Sequence, residues 1–340
     1  DVCSSDLLKM FKTTLALAAL AAVAADSTRE RLESMFIDHM QKFELEFKDG
    51  KEFIHRLEIF IKEVESIEKH NSDKTQTFTR GLNQFSHMTH DEWKDYVKLG
   101  TTRPGFLRKH GNKVHGEPSV GNPASVDWVA AGAVTNVKNQ GQCGSCWSFS
   151  TTGAIEGAFV INNKGSLTSF SEEQLVQCDT TCNGCNGGWM DDAFMWVQNN
   201  GGLVTEASYP YTSGQGVRGS CPSDGVGTPV SGSAPTGYTD VQSGSVSALE
   251  SAVAQQPVSI AIQADQTAFK SYSGGVLTGT CGTSLDHGVL VVGYGTLNGQ
   301  DYWKVKNSWG PTWGDNGYVL IEKSASNECG VLLAASYPTM

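Results

Sequence analysis

The 340-residue sequence predicts an α+β fold in two lobes, and three observations carry the prediction. Helical periodicity fills much of the chain before about residue 256, strand patterns dominate from Pro257 onward, and composition changes abruptly near residue 122. Residues 26–121 hold 16 Lys and Arg against 17 Asp and Glu and no cysteine, whereas residues 122–340 hold 7 against 17 and are rich in Gly, Ser and Cys. A break of that kind marks a domain boundary. With 39% hydrophobic and 18% charged residues, the bulk of the chain is neither disordered nor fibrous. The formal net charge of -11 argues against a nucleic-acid partner, which would need clustered Lys and Arg.

The elements follow in order. Met10, Phe11 and Lys12 precede an eleven-residue apolar run, Leu15 to Ala25, that closes on Ala22-Val23-Ala24. This is the pattern of a secretory signal, too short for the roughly 18 to 20 residues that span a bilayer. Residues 1–9, Cys3 included, stand in front of a plausible initiator Met10 and read as a translated artefact. Met35, Phe36, His39, Met40, Phe43 and Phe47 recur at helical spacing. In a second helical run, Glu52, Arg56, Phe60, Glu63, Ile67 and Asn71 share one face, with Glu52 and Arg56 at ion-pair spacing. Thr101 to Gly121 lacks apolar periodicity and reads as an exposed linker open to proteolysis. Beyond it, helices are expected from Cys146 to about Asn162, from Ser171 with Ser171-x-x-Gln174 as a capping box, from Trp189, and from Ser245 to Gln256.

The strongest chemical signal is Gln140-Gly141-Gln142-Cys143-Gly144-Ser145-Cys146-Trp147. A Cys-x-x-Cys pair serves disulfide exchange in one setting and binds zinc in another, but neither a βαβ context nor a matching second ligand pair stands beside it. Cys146 instead opens a helix, where the partial positive charge of the N-terminus favours the thiolate, the form that attacks carbonyls. A nucleophilic Cys needs an imidazole and a group to orient it. Asp286-His287-Gly288 leads into the apolar strand Val289 to Gly295, and Tyr302 to Lys306 forms a further strand running into Asn307-Ser308-Trp309-Gly310.

Together these segments, with Asp127-Trp128, Cys185-Asn186-Gly187-Gly188 and Cys329-Gly330, closely resemble the papain-like cysteine proteases. The earlier helical run resembles the pro-segment of that family: Glu52, Arg56, Ile59, Phe60, Ile67 and Asn71 match its ERFNIN signature, with Glu63 where Asn is usual. Gly81-x-Asn83-x-Phe85-x-His87 resembles its GNFD signature, with His87 in place of Asp. The resemblance implies a two-lobed papain-like fold, with a helical left lobe and a β-barrel-like right lobe, preceded by a small helical pro-domain that blocks the cleft. It implies Cys146 as nucleophile, His287 as its partner and proton donor, Asn307 as orienting group, Trp309 as shield, and Gln140 with the Cys146 N–H as oxyanion donors. It further implies the disulfides Cys143–Cys185, Cys178–Cys221 and Cys281–Cys329, which leave Cys182 without a partner.

Position by position, the resemblance places Gly187 and Gly188 along the substrate and lines the pocket for the second residue before the cut with Trp189, Met190, Ala261, Leu285, Gly288 and Ala334. That lining is apolar or small, more like cathepsin L than cathepsin B, and selects Leu or Phe over an unpaired Arg. The implied layout is a signal at 10–25, a pro-domain at 26–100, a linker at 101–121 and a peptidase domain at 122–340. The expected product is a monomeric, self-inhibited endopeptidase of an acidic lysosome-like compartment or the extracellular space, without cofactor, metal, membrane span or nucleic acid. Its partners would be protein and peptide substrates, its own pro-segment and cystatin-like inhibitors. A histidine at position 87, whose unperturbed side chain titrates near pH 6.5, would help loosen the pro-segment on acidification. The competing readings are an inactive homologue acting as inhibitor or binding protein, and a disulfide oxidoreductase using Cys143 and Cys146.

Overall fold

The computed structural model describes residues 28–97, 113–118 and 120–340. The expected signal at 10–25 and the start of the linker lie outside the described residues. Two compact units emerge: the described residues up to Glu68 with Ser86–Met88, and Lys69–Phe85 with Thr89–Met340.

The first unit contains helix α1, residues 28–42, and most of α2, Gly50–Ser72. Asp49 starts α2 by accepting from the N–H groups of Lys51 and Glu52 at 2.9 and 3.0 Å, while Glu52 reaches back to the Lys48 N–H at 2.9 Å. The apolar stripe of α2 buries Leu57, Phe60, Val64 and Ile67. Phe36 is fully buried and packs against Phe47, Phe53 and Phe60 with ring centroids 5.9, 5.4 and 5.2 Å away. Arg56 lies 3.6 Å from Glu52 and donates to the His87 carbonyl at 3.3 Å.

The second unit begins with the end of α2, strand β1 (Phe78–Arg80) and helix α3 (His90–Val97). Asn71 clamps β1 in both directions, donating to the Arg80 carbonyl at 2.8 Å and accepting from its N–H at 2.9 Å. Thr89 and Glu92 form a reciprocal capping box on α3: Glu92 N donates to Thr89 Oγ1 at 3.2 Å, and Thr89 N to Glu92 Oε2 at 2.8 Å. There follow β2 (Val114–His115), β3 (Val126–Asp127), α4 (Cys146–Ile161), α5 (Glu172–Cys178) and α6 (Met190–Asn200). The remainder is β4 (Gly237–Val241), α7 (Val246–Val253), β5 (Val258–Ile262), α8 (Thr267–Lys270), β6 (Tyr272–Leu277), β7 (His287–Leu297), β8 (Gln300–Lys306), β9 (Tyr318–Glu322) and β10 (Ala335–Thr339). The sheet runs β1-β6-β9-β8-β7-β5-β10-β4-β2, with β3 on β7, and its ladder is open at both ends.

Helix α4 is buried over most of its length and packs against β5, β7 and β10, which explains its nearly uninterrupted apolar and small composition. A Cβ at Gly153 would stand 2.8 Å from Leu290 Cδ2, so this glycine permits the close approach of α4 to β7. Disulfides join Cys143 to Cys185, Cys178 to Cys221 and Cys281 to Cys329, and Cys146 and Cys182 are free and buried.

Three expectations change in detail. Only half of the capping box at α5 forms: Ser171 Oγ accepts from Gln174 N at 3.0 Å, but the Gln174 amide turns to Gly202 O. Helix α7 stops at Val253, and α8 had no clear apolar signal in its four residues. Within the stretch expected as exposed linker, Val114–His115 forms β2, paired in parallel with β4. His115 bonds Tyr337 Oη at 2.9 Å and Ser251 Oγ at 3.0 Å, contacts that local composition could not announce.

Candidate active site

Cys146 is the first residue of α4, and His287 opens β7, so helix packing on the sheet brings them to one place. The Gly288 N–H donates to Cys146 Sγ at 3.3 Å, tying the sulfur to the residue beside His287. Cys143 is committed to its disulfide, so Cys143 and Cys146 do not form a redox pair. His287 Nε2 and Asn307 Oδ1 are 2.8 Å apart, and Asn307 Oδ1 also accepts from Ser308 N at 2.8 Å. An amide oxygen accepts only, so the proton of neutral His287 sits on Nε2 and Nδ1 keeps its lone pair. That tautomer can receive a proton from a thiol. Trp309 stacks on the imidazole at 4.5 Å and 23° and is itself fully buried.

Gln140 is placed by the opposite wall. Its N–H donates to Ser308 O at 2.8 Å, its Oε1 accepts from Ser308 Oγ at 2.7 Å, and its Nε2 donates to Cys143 O at 3.0 Å. Ser308 therefore decides which end of the Gln140 amide faces the cysteine loop. The expected pocket residues also converge. Register pairs Ala261 with Gly288, and Ala261 N donates to Ala334 O at 3.0 Å. A Cβ at Gly288 would lie 3.2 Å from Met190 Sδ and 3.3 Å from the Trp147 backbone, so β7 approaches α4 closely only with glycine there. Trp189 and Leu285 pack at the edge of the same apolar cluster. Gly187 takes φ 100°, in the turn whose Asn183 N donates to Gly187 O at 2.8 Å, and Gly188 follows it directly against Cys182 and Trp147.

Residues 69–85 and 89–97 of the same unit occupy this face. Gly81 N donates to Ser271 O at 2.7 Å, Asn83 Nδ2 to Lys270 O at 2.8 Å, and Gln84 Nε2 to Trp309 O at 2.6 Å. Phe85 and Trp93 meet Trp309 edge-on at 5.7 and 4.9 Å, and Trp93 Nε1 donates to Ala264 O at 3.1 Å. Tyr96 stands against Trp93 and Trp309, and burial raises its phenol pKa. With this cover in place both Cys146 and His287 are fully buried.

Burial changes the chemistry. It pushes the Cys146 thiol up to about 12, against the pull of the N–H groups of Gly288, Trp147 and Cys146, and it lowers His287 to about 4 despite the Asn307 contact. At neutral pH the covered pair is a thiol beside a neutral imidazole. The sequence pointed to a thiolate because it shows the helix N-terminus and not the lid. Asp286, next in the chain, is raised to about 7 by burial and accepts from Ala264 N at 2.7 Å. Sequence reasoning missed Ser308, Trp93 and Tyr96 as parts of this site. The last two left a faint signal, an aromatic pair three residues apart in an otherwise charged helix.

Fold and site together define a thiol-dependent hydrolase closed by its own N-terminal segment. Residues 122–339 match the papain family cysteine protease model, and residues 36–93 match the cathepsin propeptide inhibitor domain (I29). The chain is 42% identical over 339 residues to the probable cysteine protease RD21C of Arabidopsis thaliana, covering 98% of this chain and 74% of that one. It is 42% identical over 301 residues to the thiol protease SEN102 of Hemerocallis, covering 86% of this chain and 82% of that one. Among solved structures, digestive procathepsin L 3 of Tenebrio molitor larval midgut superposes with a TM-score of 0.79 at 39% identity, covering 91% of this chain and 99% of the other. A recombinant stem bromelain precursor gives 0.82 at 36% identity, with 91% and 99% covered. The chain belongs to the papain family of cysteine proteases and carries a cathepsin-type propeptide inhibitor domain.

Proposed function

We propose that Cys146 is the nucleophile of a cathepsin L-like endopeptidase, with His287 its proton acceptor and donor, Asn307 the group that orients the imidazole, and Gln140 an oxyanion donor. Once the pro-segment leaves, water reaches the pair, and the proton moves from Cys146 Sγ to His287 Nδ1. The thiolate attacks the scissile carbonyl carbon; the oxyanion takes hydrogen bonds from the Gln140 amide and the Cys146 N–H. His287 then protonates the leaving amine, and water, deprotonated by the same nitrogen, hydrolyses the thioester. The observation that carries this reading is a free cysteine at a helix N-terminus whose sulfur accepts from Gly288, the residue next to an Asn-oriented histidine.

The apolar setting of Trp189, Met190, Ala261, Leu285, Gly288 and Ala334 supports a preference for bulky hydrophobic residues at the second position before the cut, since a buried Arg there would meet no counter-charge. The proposed layout keeps the signal at 10–25, the pro-domain at 26–100, the linker at 101–121 and the peptidase domain at 122–340, with delivery through the secretory pathway to an acidic vacuole-like compartment or outside the cell. Among the described residues no helix is long and apolar enough to cross a membrane. Protein and peptide substrates and cystatin-like inhibitors are the proposed partners. The test is acidification of the purified zymogen followed by N-terminal sequencing and titration with a thiol-directed epoxide. The proposal expects a new terminus near Asn122 and one epoxide per chain on Cys146. Labelling elsewhere, or none in the acid-treated chain, refutes it.

A further inference from the structure

Behind the catalytic wall lies a group of charges that the reaction scheme does not use. Lys138 Nζ donates to Glu172 at 2.6 Å and to Glu156 at 3.2 Å, Glu156 also accepts from Thr135 Oγ1 at 2.6 Å, and Lys306 Nζ donates to Thr135 Oγ1 at 3.0 Å. Glu156 and Glu172 are each 1% exposed. Glu172 uses only one oxygen: Oε1 takes Lys138 and Thr152 Oγ1, the latter at 2.5 Å, while Oε2 is buried and finds no hydrogen-bond partner among the described residues. Asn307 is in the complementary position. Its Oδ1 serves His287 and Ser308, and its buried Nδ2 likewise finds no partner among the described residues.

Glu172 and Asn307 line the same small cavity, with Lys306, Ser150 and Gly288 in its walls. Its volume of about 20 Å³ admits one water molecule, and a buried water characteristically joins polar groups that would otherwise stay unpaired. Nδ2 donates, and a carboxyl Oε2 either accepts from water or donates to it, so a single water has the bonding capacity to serve both. We propose that a water held between Asn307 Nδ2 and Glu172 Oε2 fixes the Asn307 amide, making Glu172 a positioning residue for the His287 imidazole. Asn307 is then held at both ends, by His287 and Ser308 at the oxygen and by the water at the nitrogen. Rotation of the amide, which would turn Nδ2 toward His287 and break the tautomer, is opposed. Glu172 is faced by Lys138, Glu156 and Glu206; burial raises its pKa and Lys138 opposes that. Burial outweighs Lys138, so the carboxyl holds a proton at neutral and acidic pH; with Oε1 accepting from Lys138 and Thr152 that proton sits on Oε2, and the water accepts from Oε2–H and from Nδ2 alike.

This inference rests on the reading of Cys146 and His287 as the reacting pair. The test has two arms. A high-resolution crystal structure of the matured wild type is expected to show water within hydrogen-bond distance of both Asn307 Nδ2 and Glu172 Oε2; a dry cavity, or water touching only one of them, overturns the proposal. In kinetics normalised to epoxide-titrated sites, Glu172→Met is expected to lower kcat about tenfold with KM little changed, and Glu172→Gln to recover all but about threefold. Equal kcat in all three proteins, or equal losses in both variants, overturns it. If the wild type takes no epoxide the reading of the pair has failed, and the crystallographic arm still decides whether the water is there.

Discussion

At the scale of single residues, function turns on how solvent reaches two atoms. Cys146 begins a helix and accepts three N–H groups, all favouring the thiolate, yet burial outweighs them while the site is covered. Raising the thiol from 9 to about 12 lowers its ionised fraction near pH 7 by roughly 10³. Alkylation of Cys146 by iodoacetamide at pH 7, followed by mass spectrometry, is therefore expected to be at least about 10²-fold slower in the zymogen than in the matured enzyme. Equal rates would show that the cover does not control the sulfur. Gln140→Ala is expected to cost about 10²-fold in kcat with KM changed less than about threefold, because an oxyanion donor acts mainly in the transition state. A loss confined to KM would remove Gln140 from that role. The residue types were legible from sequence at Gln140, Cys146, His287 and Asn307. Ser308 was not read as a site residue, since its contact with Gln140 spans 168 positions and leaves no local pattern.

At the scale of elements, the pro-segment combines a tight aromatic core with a titratable group inside it. His39 is 5% exposed among Phe36, Phe43 and Phe60, with His87 6.0 Å away between ring centroids. Burial first, then the charges of His87 and Lys42, lowers its pKa from 6.5 to about 4. Between those values the unfolded unit binds a proton that the folded unit excludes, so stability rises with pH across the window and is lost on acidification, by about 3 kcal/mol in full. His39→Phe keeps the packing and removes the titration; hydrogen exchange in α2 is expected to show acid opening shifted to lower pH, and an unchanged onset counts against the mechanism. Helix α3 works on the other side of the balance. Trp93 is fully buried, and truncating such a side chain typically costs about 3 to 5 kcal/mol. A Trp93→Ala zymogen is thus expected to cleave a Phe-Arg fluorogenic peptide at neutral pH without acid treatment, where the wild-type zymogen stays silent.

For the whole molecule, specificity follows from which elements converge. The start of helix α6 brings Met190 with Trp189 just before it, β5 brings Ala261, β7 brings Gly288 and the residue preceding β10 is Ala334, and none of these five side chains is a carboxylate. The matured enzyme should hydrolyse Phe-Arg peptides at least about tenfold faster in kcat/KM than Arg-Arg peptides, a gap set by desolvating an unpaired guanidinium. The reverse order would refute the assignment of this pocket. Helices, strands and reactive residue types were readable from the chain because they depend on neighbours one to four positions away: periodicity, caps, and a cysteine at the start of an apolar helix. Tertiary structure alone decided the rest. It paired β2 with β4, buried Glu156 and Glu172 beside Lys138, and set Trp93 and Tyr96 over Trp309. Those arrangements join residues tens to hundreds of positions apart, and the burial they create sets the charge state of Cys146 and His287, a quantity that no local pattern of side chains encodes.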